Sequence, residues 1–193
     1  MIYLIFAGVS FGTIGLFVNL IGNSISTLLI VSIRLLSTAG LIYLYQTFKG
    51  TRKKIRLDSR RELYIVIAGG IIGFATTFSL YLKSLLLIPV SEAVFLHYVA
   101  FPFTTILYSS IFLKEKITGY ELLSLLGTAL GVFFIYNVGF AGGVSSLFGY
   151  SIAFLSGITY TAALLVLKNL GESKTTLQSL FWPSFVGGLA LLP

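Results

Sequence analysis

The sequence contains no cysteine, one histidine, one tryptophan and only six acidic residues among 193. Without cysteine there is no disulfide, no thiolate metal ligand and no thiol nucleophile. One histidine cannot assemble a zinc site of the usual kind, so neither a metal nor another cofactor is expected. The glycines lie in apolar runs with no Lys-Ser/Thr after them, which excludes a phosphate loop. No nucleophile, base and acid recur at a spacing that suggests hydrolytic chemistry. Charged residues make up 10% of the chain, against about 25% in a soluble domain. That is too little to cover a water-soluble surface.

What is present is apolar. Hydrophobic residues make up 56% of the sequence, and the mean hydropathy is +0.99. A helix crossing roughly 30 Å of hydrocarbon needs about 20 residues, so the length holds seven spans. Segment one covers 2–20, segment two 26–48, segment three 63–82 and segment four 90–113. Segments five, six and seven cover 120–137, 148–167 and 176–192. Pro89 ends a tight connection between segments three and four. The cluster Gly139, Gly142, Gly143, Ser145 and Ser146 predicts a break at 138–147. No period-two alternation runs for barrel-strand lengths. Backbone groups in lipid must be satisfied internally, which leaves helices. The expected fold is an all-α integral membrane protein, a polytopic helix bundle in contact with the lipid bilayer.

The net charge of +7 does not point to nucleic acid, because of where it sits. Seven of the 13 basic residues fall between Lys49 and Arg61, with no interleaved aromatics. Lys114 and Lys116 lie between segments four and five, and Lys168 and Lys174 between six and seven. The alternate loops carry no charge, with Lys83 the one outlier nearby. This pattern places the N-terminus and loops 49–61, 114–118 and 168–175 in the cytoplasm of a multi-pass plasma (inner) membrane protein. The first segment lacks a basic n-region and runs past an ordinary signal-peptide core, so it is expected as a retained span.

Shifting the chain by 149 places Gly8 on Gly157, Leu16 on Leu165 and Gly22 on Gly171. Ser10–Phe11 falls on Thr159–Tyr160, and Thr27–Leu28 on Thr176–Leu177. Five spans precede the second copy, and an odd number inverts it, as in secondary transporters.

Several stretches carry a family likeness. FAGVSFGTIGLF at 6–17 is a glycine-rich first helix, and SIRLL places Arg34 early in the second. PVSEAVFLHYVAFPFTTILYSSIFLKEKIT at 89–118 holds Pro102 and Glu115, and LLSLLGTALGVFFIY at 122–136 holds Gly127 and Gly131. In these features the chain resembles the EamA-type branch of the drug/metabolite transporter superfamily. The resemblance implies ten helices in two inverted five-helix halves. Residues 1–138 then form the first five-helix repeat, and 148–193 a partial second repeat of two helices. The fold is the first half of a five-plus-five inverted repeat plus two helices of the second half, and an intact member would continue for about three more.

The candidate substrate-path residues are Ser10, Gly12, Asn19, Arg34, Tyr81, Glu92, His97, Tyr98, Pro102 and Tyr160. Arg34 is the charge that most needs explaining, because ions deep in a span are costly. It either snorkels or pairs, with Glu92 the available partner, or it binds an anionic group such as a carboxylate. His97 is either a buried hydrogen-bonding residue or a proton or substrate ligand. Tyr81 and Tyr160 lie near span ends, where interface anchoring explains tyrosine. Pro102 kinks segment four and frees a carbonyl, and Glu115 caps or fixes the loop before segment five. The pairs Gly8/Gly12, Gly69/Gly73 and Gly127/Gly131 serve helix packing or line a path.

The expected function is a secondary transporter exporting small metabolites, such as amino acids or related amphipathic compounds, by alternating access. The alternatives are a non-transporting fragment or scaffold and a membrane-embedded lipid-modifying enzyme.

Overall fold

The computed structural model describes residues 13–15, 17–18, 20–21, 24–50, 57, 59–112, 114, 116–141, 144–171 and 176–192. Its elements beyond residue 26 are all helical. We number them α1 (Thr27–Phe48), α2 (Arg60–Leu85), α3 (Val90–Phe112), α4 (Gly119–Ala141), α5 (Val144–Gly171) and α6 (Thr176–Ala190). Among the described residues, five helices are long and apolar enough to cross a membrane: Thr27–Phe48, Arg60–Leu85, Val90–Ile111, Gly119–Asn137 and Ser146–Leu165. Segment one lies largely outside the described residues. Segment seven forms α6, whose 15 residues reach only about 22 Å.

Local chemistry sets the helix ends. Gly50, at φ +66°, follows the last turn of α1 in the left-handed conformation that glycine adopts without strain. α2 begins at a Ser-x-x-Glu box, with Ser59 Oγ accepting from Glu62 N–H at 3.2 Å. α4 begins at a Thr-x-x-Glu box. There Thr118 N–H donates to Glu121 Oε2 at 2.6 Å, and Glu121 N–H donates to Thr118 Oγ1 at 3.3 Å. The acid that fixes this turn is therefore Glu121; Glu115 lies outside the described residues. Pro89 O accepts from Glu92 and Ala93 N–H, both at 3.0 Å, and so opens α3.

Two expectations about the spans change. The break expected at 138–147 separates two helices but is narrower than the cluster: α4 continues through Gly139 to Ala141 and α5 starts at Val144. Glycine is tolerated in membrane helices, because lipid denies the backbone any partner outside the helix. α2 is also not a plain α-helix. Gly69–Ala75 is a π turn, which Thr76 Oγ1 supports by donating to Ile71 O, five residues back, at 3.0 Å.

α5 sits at the centre, against α3 and the π turn and C-terminal half of α2, while α6 lies along α1 and the π turn. The core contains Val31, Leu35, Phe74, Leu82, Leu85, Leu96, Ala153 and Ala163. Small residues bring the helices close. A Cβ on Gly70 would lie 2.9 Å from Pro183 O, and one on Gly73 would lie 2.5 Å from Ala163 Cβ. The pair Gly127/Gly131 behaves otherwise, since Gly127 faces open space and Gly131 meets Phe95. None of the described α4 side chains is buried. Exposed Leu41, Leu44, Leu123, Leu126, Phe133 and Phe134 form the apolar exterior that a bilayer covers.

Candidate functional site

Four helices meet around one small, partly open cavity. α1 supplies Arg34, α2 supplies Phe78 and Tyr81, α3 supplies His97 and Tyr98, and α5 supplies Tyr160. Helical spacing explains the grouping: Phe78 and Tyr81 are three apart, so they share a face. The cavity volume is about 40 Å³, room for roughly three water molecules. Arg34 sits about 10 Å along α1 from Thr27 and about 20 Å from Phe48, at 1.5 Å per residue. The cavity thus lies well away from Lys49 at the end of α1.

The Arg34 guanidinium stacks over Phe78, 4.4 Å from the ring centroid. Its Nη1 is buried with no hydrogen-bond partner among the described residues. The expected partner is engaged elsewhere, because Glu92 Oε2 accepts from Tyr150 O–H at 2.5 Å. Glu92 therefore ties α3 to α5 and does not line the cavity. An ion stacked on a ring face keeps the in-plane N–H edge of its guanidinium for an acceptor.

His97 is buried. Its ring lies 4.7 Å from Tyr81, 5.2 Å from Tyr98 and 5.6 Å from Tyr160, centroid to centroid. Its Nδ1 lies 2.7 Å from Ser156 Oγ. Ser156 has one hydroxyl hydrogen, which it donates to Ala153 O at 2.6 Å. The pattern assigns the proton of the His97–Ser156 bond to Nδ1, leaving the lone pair on Nε2. α5 comes this close because Gly157 has no side chain: a Cβ there would collide with His97 O and lie 2.5 Å from Ala100 Cβ.

Of the candidates read from the sequence, Arg34, Tyr81, His97, Tyr98 and Tyr160 share this cavity. Ser10, Gly12 and Asn19 lie outside the described residues. Pro102 is on the exposed side of α3, one turn past Tyr98, whose carbonyl loses its usual N–H partner. Tyr81 and Tyr160 are not interface anchors: Tyr81 is buried in the core, and Tyr160 contacts His97 and Phe101. Phe78 and Ser156 were not anticipated. Each sits three or four residues before a tyrosine on the same helix, Phe78 before Tyr81 and Ser156 before Tyr160, and that spacing was the available signal.

The model of the EamA-like transporter family matches residues 1–137. The chain belongs to the EamA-like transporter family. No curated protein and no solved structure matches it significantly. As an EamA-like protein with several membrane-length helices, it is a multi-pass membrane protein of the drug/metabolite transporter class. The family is one of transporters, not enzymes. In this EamA-like chain the matched region contributes Arg34, Phe78, Tyr81, His97 and Tyr98, and α5 beyond it contributes Tyr160.

Proposed function

We propose that this EamA-like protein is a secondary transporter that moves small carboxylate-bearing metabolites outward across the plasma membrane by alternating access, amino acids and related amphipathic compounds among them. The observation that carries the reading is the Arg34 guanidinium, with a buried, unpartnered Nη1 at a cavity otherwise walled by aromatic rings and an imidazole. A cation at membrane depth is costly, and an arriving carboxylate satisfies it with two parallel hydrogen bonds. A cavity of about 40 Å³ holds a carboxylate group but not a whole metabolite. The remainder enters when the helices part.

The packing of α1 against α6 supports an inverted repeat. Ser32 Oγ donates to Gly188 O at 2.7 Å, Leu36 lies against Gly188, and Ala39 and Ile42 pack on Phe181. The helices therefore run antiparallel. Shifted by 149, Phe181 corresponds to Ser32, Phe185 to Leu36 and Gly188 to Ala39. The contact Ala39–Phe181 thus maps onto Gly188–Ser32, its own reciprocal. Equivalent helices meeting through equivalent faces are what a pseudo-two-fold axis between two inverted halves requires.

The test is counterflow of labelled carboxylates, amino acids and amines in proteoliposomes. Carboxylates should exchange and amines should not. Arg34→Ala should slow carboxylate exchange by at least about 10- to 100-fold, the loss of a single hydrogen bond to a charged group at about 1.5–3 kcal/mol. Unchanged exchange of every anion in Arg34→Ala would sink the assignment.

A further inference from the structure

The cavity holds a second ionisable group that anion binding alone does not use. We propose that His97 takes up one proton at Nε2 with each carboxylate that Arg34 binds, so that the protein carries substrate and proton together; this rests on the anion site proposed above. The argument is one of charge and geometry. Arg34 from α1 is the fixed cation. Tyr81 from α2, Tyr98 from α3 and Tyr160 from α5 complete the wall with His97 and Phe78, and no carboxylate lines it among the described residues. Glu92, the nearest acid along α3, is held by Tyr150.

Ser156 fixes which nitrogen is available. Nδ1–H is spent on Ser156 Oγ, whose own hydrogen is spent on Ala153 O. The lone pair on Nε2 remains as the place where a proton from water can form an N–H bond. In a low-dielectric cavity a second cation beside Arg34 is costly while Arg34 is unpaired, and a bound carboxylate removes that cost. Substrate and proton therefore favour each other's binding, and the coupling is reciprocal. The charges also balance. The empty site carries the Arg34 charge alone. The site holding both carboxylate and proton carries the same charge, whereas the site holding only the anion does not. The proton leaves Nε2 on the side where the carboxylate leaves Arg34, and no bond in the substrate changes. One carboxylate moves with one proton, without net charge, so export proceeds where the outward gradient of the metabolite exceeds the inward gradient of protons.

The test uses the chain in proteoliposomes with pyranine trapped inside and phenylpyruvate as probe. Phenylpyruvate is a monocarboxylate with a ring suited to the tyrosine wall and too strong an acid to leak as the neutral form. The expected result is one proton moved per phenylpyruvate, accumulation driven by an imposed pH gradient, and indifference to a potassium–valinomycin potential. His97→Gln can still meet Ser156 but holds no transferable proton, so its proton-to-substrate ratio should fall from one to zero, whatever its rate. Ser156→Ala retains the imidazole and should keep the ratio of one. Phenylpyruvate that moves without protons in the wild type and follows the potential overturns the proton assignment. So does a ratio of one in His97→Gln. Phenylpyruvate counterflow at equal pH isolates the anion site: if it is absent in the wild type, that site is overturned, and the proton assignment with it.

Discussion

Glu92 and Arg34 are the two intramembrane charges for which the sequence offers a pairing, and the structure separates them. Glu92 is bound by Tyr150, which is itself buried and 5.7 Å from Tyr136. The contact is a bolt between α3 and α5, outside the cavity. Tyr150→Phe should therefore destabilise the protein by about 1.5–3 kcal/mol, the range for a hydrogen bond to a charged group. Denaturation of the detergent-solubilised protein measures this, and the substrate preference should not move. An altered preference at unchanged stability would place Glu92 at the substrate. The sequence exposes Arg34 as an anomaly because charge deep in a span is rare. It cannot expose the Tyr150 bond, which depends on the rotation of α5 about its axis. Ser156 is hidden for another reason: its neighbours Thr159 and Thr161 are also intrahelical hydroxyls, bonded to Leu155 O and Gly157 O, and nothing in their spelling singles out the one that meets His97.

The π turn in α2 and the glycine crossing on α5 set the site's geometry without touching a ligand. Span lengths and the Pro89 connection are legible in sequence, because lipid thickness and proline geometry impose them. The π turn is not, because Gly69, Gly70 and Gly73 suit close packing as well as a change of helical register. Residues after the turn hold positions set by the extra backbone it accommodates. Inserting one alanine between Thr76 and Thr77, past the turn that already accommodates an extra residue, should rotate the rest of α2 by about 100° and carry Tyr81 away from His97. Transport should be lost while the protein still inserts and elutes as a monodisperse species in detergent. Retained transport would show that the turn is incidental. On α5, Gly157→Leu puts a side chain where His97 O and Ala100 already lie. It should cost more than the about 1–3 kcal/mol of ordinary overpacking, read as lowered thermal stability, because the backbone is the obstacle. At Gly127, which faces open space, the same change should be nearly silent.

The molecule as a whole contains no cysteine, so introduced cysteines report without background. If the loop charges orient the chain as expected, Ser24→Cys labels with an impermeant maleimide from outside and Arg60→Cys only after the membrane is opened. The opposite result reverses the orientation. Leu36→Cys with Gly188→Cys should cross-link α1 to α6, and a locked crossing should stop transport if the two halves rock against each other. Segments two to seven, read from run length and loop charge, form helices among the described residues, whereas the order of packing was not legible, because helices in lipid share the same apolar exterior. α4 makes that plain. It has membrane length and hydropathy, yet none of its described side chains is buried. Its ties to other helices include Gly131 against Phe95, the Tyr136–Tyr150 ring pair and Tyr136 O–H to Ser151 Oγ at 3.3 Å, while the Thr118–Glu121 bonds lie within its own cap. α4 is therefore moored more than docked, and the bilayer's lateral pressure holds it beside its neighbours. As lipid is exchanged for detergent, α4 should drift away first, leaving the remaining helices and the Arg34 cavity standing.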